Sequence, residues 1–79
     1  MKNSKLKKII ESLIFSSSSP ISIKELRSFF SDEEISLKLL EELISELQNQ
    51  YLNSGVNLKK VSTGYRFQVS EECNEWVTN

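Results

Sequence analysis

Few side chains in this sequence have the type and spacing needed for acid–base, nucleophilic or metal chemistry. The 79 residues include no histidine and one cysteine, Cys73, so the commonest general base is absent and a thiolate metal site cannot form. Adjacent glutamates occur at Glu41-Glu42 and Glu71-Glu72, but neighbours on a helix point to different sides. The two glycines are isolated, so no phosphate-binding loop is present. The sequence predicts a protein that is not an enzyme and uses no metal or cofactor.

Basic side chains are the remaining candidates, because lysine and arginine can contact phosphate groups. The chain begins with a basic segment, and a second, weaker basic cluster consists of Lys59, Lys60 and Arg66. The formal net charge of the whole chain is −1, which gives no long-range attraction for nucleic acid or anionic lipid. We therefore expect weak phosphate contacts at these three residues at most, with no sequence-specific DNA binding, no membrane binding and no small-molecule substrate.

Length and composition indicate one small domain, residues 1–79. The cytoplasm is its expected location. A chain of this size buries only about 60% of the surface that its unfolded form exposes, so oligomerisation would help to stabilise it. The lone cysteine cannot form an internal disulfide, which favours a reducing compartment. No apolar run approaches the roughly 20 residues of a membrane-spanning helix, and no signal-peptide pattern is expected.

Hydrophobic spacing predicts three helices in the first fifty residues. The first has apolar residues at i, i+3, i+4, i+7 and i+8, namely Leu6, Ile9, Ile10, Leu13 and Ile14. It ends in a run of four serines before Pro20. Ser22 with Glu25, and Ser31 with Glu34, have the spacing of a capping box, so a short second helix and a third helix over about 32–50 are expected. The tight connection between them is typical of a helix-turn-helix.

The remainder of the chain predicts a β-hairpin and a last short helix. Two strand-like runs, 56–62 and 65–69, are joined through Thr63-Gly64. Two registers remain open, since a two-residue turn pairs Ser62 with Tyr65 and a three-residue turn pairs Val61 with Tyr65. Ser70 is the expected cap of the last helix. With a short third strand at 21–23, these elements make an α+β, mostly helical winged helix-turn-helix.

In DNA-binding proteins of this fold the third helix enters the groove, but here that segment is acidic. Residues 32–46 contain six acids and one base, Lys38. The tip of the hairpin, residues 62–64, has no basic side chain. Because a surface of this kind repels phosphate rather than releasing counterions from it, we expect that the third helix does not read DNA.

The other side of the third helix is apolar over about 160°, wider than the roughly 100° stripe of a surface helix. Leu39, Leu43 and Leu47 form the expected core seam. One interpretation is that the two other helices and the hairpin cover the whole arc. The alternative is a second seam that faces another protein chain, with Leu37, Ile44 and Tyr51 as its candidate contacts.

Positions are also predicted for four further aromatic residues. Phe15 lies opposite the core face of the first helix and is another candidate for protein contact. The other three are expected in the core rather than at an interface: Phe29, Phe30 and Trp76.

Two stretches of the chain resemble a known family, segregation and condensation protein B (ScpB). Its first helix, of the type IEALLFAS, leads through EPLS into a short helix ending in EL, and residues 9–16 (IIESLIFS), 19–22 (SPIS) and 25–26 (EL) are similar. Its wing and following helix are similar to residues 58–61 (LKKV), 64–68 (GYRFQ) and 75–77 (EWV). The resemblance covers about residues 5–78, and the order and spacing of the motifs carry it. A serine run replaces the family's common Gly-Glu before the proline.

The resemblance implies a non-enzymatic subunit of the bacterial SMC condensin complex, associated with the nucleoid and acting in chromosome condensation and segregation. In that family two tandem winged helices form a homodimer, largely through the amino-terminal one. The dimer binds the kleisin subunit ScpA, which bridges the SMC ATPase heads. This chain would be the amino-terminal winged helix of such a protein. The alternatives are a winged-helix transcriptional regulator that contacts DNA through its basic start and wing, and an interaction domain unrelated to chromosomes.

Overall fold

The computed structural model describes residues 1–77, so residues 78–79 of the expected domain lie outside the described part. The elements are α1 (Asn3–Ser16), α2 (Ile23–Ser28), α3 (Leu37–Gln50), β1 (Val56–Val61), β2 (Gly64–Val69) and α4 (Asn74–Val77), with a 3-10 turn (Glu71–Cys73) before α4. The predicted α+β, mostly helical order of three helices, a hairpin and a short C-terminal helix is confirmed. None of the described helices is long and apolar enough to cross a lipid bilayer.

The first two helices form as their sequences predict. The buried side chains of α1 are Leu6, Ile10 and Ile14, which are spaced by one helical turn. At α2 the hydroxyl of Ser22 accepts a hydrogen bond from the Glu25 amide, and the Glu25 carboxylate accepts one from the Ser22 amide. This reciprocal pair satisfies two amide groups that would otherwise lack partners at the helix start, and the predicted capping box is confirmed.

The predicted start of α3 is wrong. The helix begins at Leu37, with Ser36 as its cap accepting from the Leu39 amide at 3.0 Å, rather than near residue 32 with Ser31 as the cap. The Asp32 carboxylate instead accepts from the Glu34 amide at 2.9 Å, forming a local turn. The connection between α2 and α3, residues 29–36, is therefore longer than the tight turn that the sequence predicts.

The hairpin takes neither of the two predicted registers. Val61 pairs with Gly64 and Lys60 with Tyr65, so Ser62 and Thr63 form the turn. Tyr65 also exchanges two backbone hydrogen bonds with Ile21, at 2.8 and 3.0 Å. This single bridge is what remains of the third strand expected at 21–23.

Gly64 determines the register because it lies against the backbone of the Ile21 bridge. Its φ is +150°, and a Cβ atom at this position would come within 2.3 Å of the Ile21 carbonyl carbon. Only glycine fits such a close approach, so the hairpin aligns with Gly64 at the first position of β2.

One hydrophobic core joins the three main helices to the hairpin. Its buried members are Leu6, Ile10, Ile14, Ile21, Leu26, Ile35, Leu40, Leu43, Ile44, Leu47 and Leu58. Leu39, expected in the core seam, is only partly buried, whereas Leu40 and Ile44 are fully buried. The neighbouring elements thus cover most of the apolar arc of α3, as the first interpretation expects.

Candidate protein-interaction surface

An apolar groove lies where the C-terminal ends of α1 and α3 meet the hairpin, and we call it the aromatic groove. Its volume is about 360 Å³, and it is lined by Glu11, Ser12, Phe15, Tyr51, Val56 and Phe67. The ring centroid of Phe67 lies 5.0 Å from that of Tyr51 and 6.3 Å from that of Phe15, both edge-to-face. This spacing is favourable for aromatic pairs, so the three rings stabilise one another.

The local sequence leaves the outer part of the aromatic groove open. Phe15 is one helical position beyond the buried Ile14, which turns it away from the core, and its side chain is 76% exposed. Val56 begins β1 and is also exposed. A large apolar ring held by a single edge contact, next to an open apolar groove, is the kind of feature that a partner can bury.

Tyr51 provides the main polar contact in the aromatic groove. Its hydroxyl donates a hydrogen bond to the Glu11 carboxylate, which ties α1 to the end of α3. This hydrogen bond, then burial, then the negative charge of Glu11 raise the pKa of Tyr51 above its ordinary value. The Asn57 amide donates to the Tyr51 carbonyl at 2.9 Å, so the wall of the groove is fixed by contacts from both α1 and β1.

The four predicted contact residues do not lie on one surface in the structure. Phe15 and Tyr51 both line the aromatic groove. Ile44 is 1% exposed and belongs to the domain's own core, which removes it from the surface. Leu37 is 40% exposed but begins α3, about 20 Å along the helix from Tyr51. No continuous second seam therefore runs along α3.

Four residues of the groove were not among the predicted contacts, and the two apolar ones are Val56 and Phe67. The alternation of Tyr65, Phe67 and Val69 predicts that Phe67 faces inward. The sequence does not show which residue of β1 lies opposite Phe67, because the register was not determined. The observed register places Phe67 opposite Leu58 and Val69 opposite Val56. The same face of the hairpin thus continues from the core to the edge of the groove.

The basic candidates lie on the hairpin, away from its tip. Lys59 and Arg66 stand directly opposite each other on one face, and Lys60 pairs with Tyr65 on the other. Like charges in opposite positions repel, which makes a counterion or an acidic partner favourable there. The Arg66 guanidinium already donates to the Gln68 side chain at 3.2 Å. Phosphate contact by these residues stays a prediction.

The surface of α3 is less acidic than its segment suggested. Because the helix begins at Leu37, the acids at 32–34 lie in the preceding turn, and α3 itself contains three glutamates and one lysine. One of the three, Glu46, forms an ion pair with Lys7 at 3.3 Å. The remaining charge still opposes phosphate binding by this helix, although less strongly than the sequence indicated.

The C-terminal segment after Ser70, residues 71–77, lies mostly at the surface, with Cys73 half-buried. Trp76 is 75% exposed, so its predicted core position is wrong, and the same holds for the exposed Phe29. Phe30 packs against the core as expected. Ser70 precedes the 3-10 turn, but its side chain makes no capping hydrogen bond, which corrects its predicted role. Here the buried Ser70 ends the packed part of the chain.

Within residues 1–77 no group of three or more His, Cys, Asp or Glu side chains is arranged to hold a metal ion. Three helices, a two-stranded wing bridged to Ile21, and a core centred on α3 define a winged-helix domain. Solved structures share this arrangement. ScpB from Mycobacterium tuberculosis superposes with a TM-score of 0.86 at 18% identity, over 98% of this chain and 48% of that one. A conserved hypothetical protein from Chlorobium tepidum gives 0.80 at 26% identity, over 95% and 47%.

Sequence comparison identifies the family. Residues 8–79 match the family model for the segregation and condensation complex subunit ScpB. A segregation and condensation protein B homolog from Coxiella burnetii is 36% identical over 70 residues, which are 87% of this chain and 34% of that protein. Segregation and condensation protein B from Clostridioides difficile is 33% identical over 79 residues, 98% of this chain and 44% of that protein. The chain belongs to the ScpB family, and it spans less than half the length of these relatives.

Proposed function

We propose that this chain is a non-enzymatic part of a bacterial SMC condensin complex that acts in chromosome condensation and segregation, in the cytoplasm at the nucleoid. Its membership of the ScpB family supports the process. The single observation that supports the mode of action is the aromatic groove, where Phe15 is exposed beside Tyr51, Val56 and Phe67. Exposed aromatic rings at the rim of an apolar groove are typical anchors of protein–protein contacts.

The molecular role is to bind protein chains. One partner is a second copy of this chain, and the other is the kleisin ScpA, through which the assembly reaches the SMC ATPase. The amino-terminal winged helix contributes self-association. Relatives are more than twice as long, and this domain contributes to the kleisin contact by holding two copies together.

Co-elution with purified ScpA tests this function. The chain and ScpA are run together and separately on a sizing column with a light-scattering mass detector. The proposal expects a complex whose mass contains more than one copy of this chain. A chain that stays monomeric at all concentrations and does not co-elute with ScpA would contradict it.

DNA binding is the second candidate, and the opposed pair Lys59 and Arg66 on the wing favours it. The turn of Ser62 and Thr63 has no base, and α3 exposes glutamates, so we expect affinity for random duplex DNA no tighter than about 10 µM near physiological salt. A gel shift with random duplex measures this. A sub-micromolar shift that weakens steeply with added salt would favour a winged-helix transcriptional regulator instead.

A further inference from the structure

We propose that the aromatic groove of one copy is filled by the C-terminal segment of a second copy, with Trp76 as the inserted side chain, and that the exchange is reciprocal. The inference rests on the self-association proposed above and names the two surfaces that make it. Five properties of the described residues support it: the exposure of the segment, the fit of the groove, the charges of both, their relative position, and the area of the contact.

The C-terminal segment exposes apolar side chains that its own domain does not cover. Trp76 and Val77 are both exposed, at 75% and 61%. The domain is elongated, 45 × 21 × 18 Å, and the last packed residue before the 3-10 turn is the buried Ser70. A tryptophan is highly buried on average, so such exposure indicates a contact surface.

The aromatic groove has the size and chemistry to accept an indole ring. Its volume of about 360 Å³ lies at the lower end of the roughly 300–1,000 Å³ of small-molecule pockets. Phe15 and Phe67 offer ring faces and edges for a further aromatic pair. Glu11 lines the groove, and its carboxylate can accept from the indole N–H while one oxygen accepts from Tyr51.

Two basic residues lie near the groove beside the acidic Glu11, so the charges on the two surfaces are complementary overall. Residues 70–77 contain three glutamates and no base. On the groove side, Arg66 lies next to Phe15 and Phe67 in the adjoining depression of about 230 Å³. Lys8 is one helical turn before Glu11 on α1 and, within the described chain, forms no ion pair. An acidic segment with one tryptophan therefore suits this groove better than a basic or wholly apolar one.

The two surfaces also lie close together on each copy, which a reciprocal exchange requires. Val56 lines the aromatic groove and pairs with Val69, the last residue of β2. The Ser70 amide then donates to the Gly55 carbonyl at 2.8 Å, so the C-terminal segment leaves the domain at the edge of the groove. Around a two-fold axis at this edge, each segment faces the groove of the other copy.

The area of this contact suits a weak dimer. Two copies bury two Trp76 and two Phe15 side chains, each about three quarters exposed. Since an aromatic side chain buries about 150–250 Å², the four rings contribute roughly 600 Å². That is about half of the roughly 1,200 Å² at the lower end of stable interfaces, and the exposed valines at positions 56, 69 and 77 add to it.

Trp76 is the only tryptophan in the chain, so its fluorescence tests the contact without a label. Emission and acrylamide quenching are measured at concentrations where light scattering gives the monomer mass and where it gives twice that mass. We expect the dimer to emit at shorter wavelength and to be quenched several-fold less than the monomer.

Two variants localise the contact, with circular dichroism to confirm that each folds. Phe15→Ala keeps the tryptophan and removes one wall of the groove, so dimer affinity should fall by at least about tenfold. Phe29→Ala removes another exposed phenylalanine that does not line the groove, and it should leave both mass and fluorescence unchanged.

The outcomes separate this inference from the proposed function. A dimer in which Trp76 is as accessible as in the monomer would overturn the inference and leave self-association standing. A monomer in which Trp76 is already protected would mean that the segment covers its own groove, which also overturns it. A monomer at every concentration would overturn both.

Discussion

At the scale of single residues, Tyr51 joins three parts of the domain. Its hydroxyl donates to Glu11 of α1, its carbonyl accepts from Asn57 of β1, and its ring packs on Phe67 of β2. Because the hydrogen bond raises the pKa of Tyr51, the neutral phenol is favoured in the folded state. Its contribution to stability is complete below the unfolded pKa of about 10 and is lost as pH rises through the folded pKa.

Tyr51→Phe removes this hydrogen bond while keeping the ring. We expect it to lower the free energy of unfolding by about 1 kcal/mol at pH 8. At a pH above the folded pKa of Tyr51 the loss relative to wild type should be smaller, because the wild type no longer makes the hydrogen bond there. Urea denaturation at both pH values measures the difference. Tyr65→Phe is the matched control, since among the described residues its hydroxyl makes no hydrogen bond. An equal loss at both pH values would show that Tyr51 acts only through packing.

Ser36 provides a second residue-scale test, because it rather than Ser31 caps α3. Ser36→Ala should destabilise the domain by about 1 kcal/mol. For a domain of this size that corresponds to a melting temperature lower by about 4–8 °C. Ser31→Ala, five positions earlier, should stay within about 0.5 kcal/mol of wild type. Thermal unfolding followed by circular dichroism compares them, and a larger effect of Ser31→Ala would put the helix start back near residue 32.

The two serines also mark what could be predicted from the sequence at this scale. Ser22 and Glu25 have the capping-box spacing and form the box, whereas Ser31 and Glu34 have the same spacing and do not. The difference comes from the neighbouring side chains. Asp32 binds the Glu34 amide, and Arg27 donates to the Phe30 carbonyl at 2.6 Å and to the Asp32 carbonyl at 3.2 Å. These contacts hold the segment as a turn. Because the Arg27 contacts form only in the folded chain, the spacing of Ser31 and Glu34 could not reveal them.

At the scale of elements, the hairpin is positioned by the close approach of Gly64 to Ile21. Gly64→Ala would place a methyl group 2.3 Å from the Ile21 carbonyl carbon at a φ of +150°. We expect a loss of about 2 kcal/mol or more, because backbone strain and the clash add. The test is chemical denaturation alongside Gly55→Ala, which meets nothing within 4 Å and should be nearly neutral. A Gly64→Ala domain as stable as wild type would mean that the bridge to Ile21 is dispensable.

The hairpin register could not be predicted from the strand pattern alone. Alternation shows which residues share a face, but a shift by one residue exchanges the faces, and several turn lengths suited the sequence. The close contact of Gly64 with Ile21, two residues before α2, decides the alignment, and these two residues are more than forty positions apart. The coverage of the apolar arc of α3 could not be predicted for the same reason. The width of the arc was predictable, but only the packing of α1, α2 and β1 shows that Ile44 is covered.

At the scale of the whole molecule, the order of elements and the family were predictable because motifs along nearly the whole chain agree with one fold. The aromatic groove was predictable only in part. Phe15 and Tyr51 were identified from helix geometry, whereas Val56 and Phe67 join them only through tertiary packing. Leu37 and Tyr51 lie seven helical positions on either side of the buried Ile44, so a single seam could not include all three at the surface.

The central claim is that two copies associate through the aromatic groove, and the molar mass of matched variants tests it most directly. Light scattering is carried out on the wild type, Phe15→Glu and Leu37→Glu over concentrations from about 10 µM to about 1 mM, the range of weak association. We predict that the wild type and Leu37→Glu rise toward twice the monomer mass. Phe15→Glu should remain monomeric, because a charge buried in an interface without a partner costs several kcal/mol. A wild type that stays monomeric throughout, or a Phe15→Glu variant that dimerises as well as the wild type, would contradict the claim.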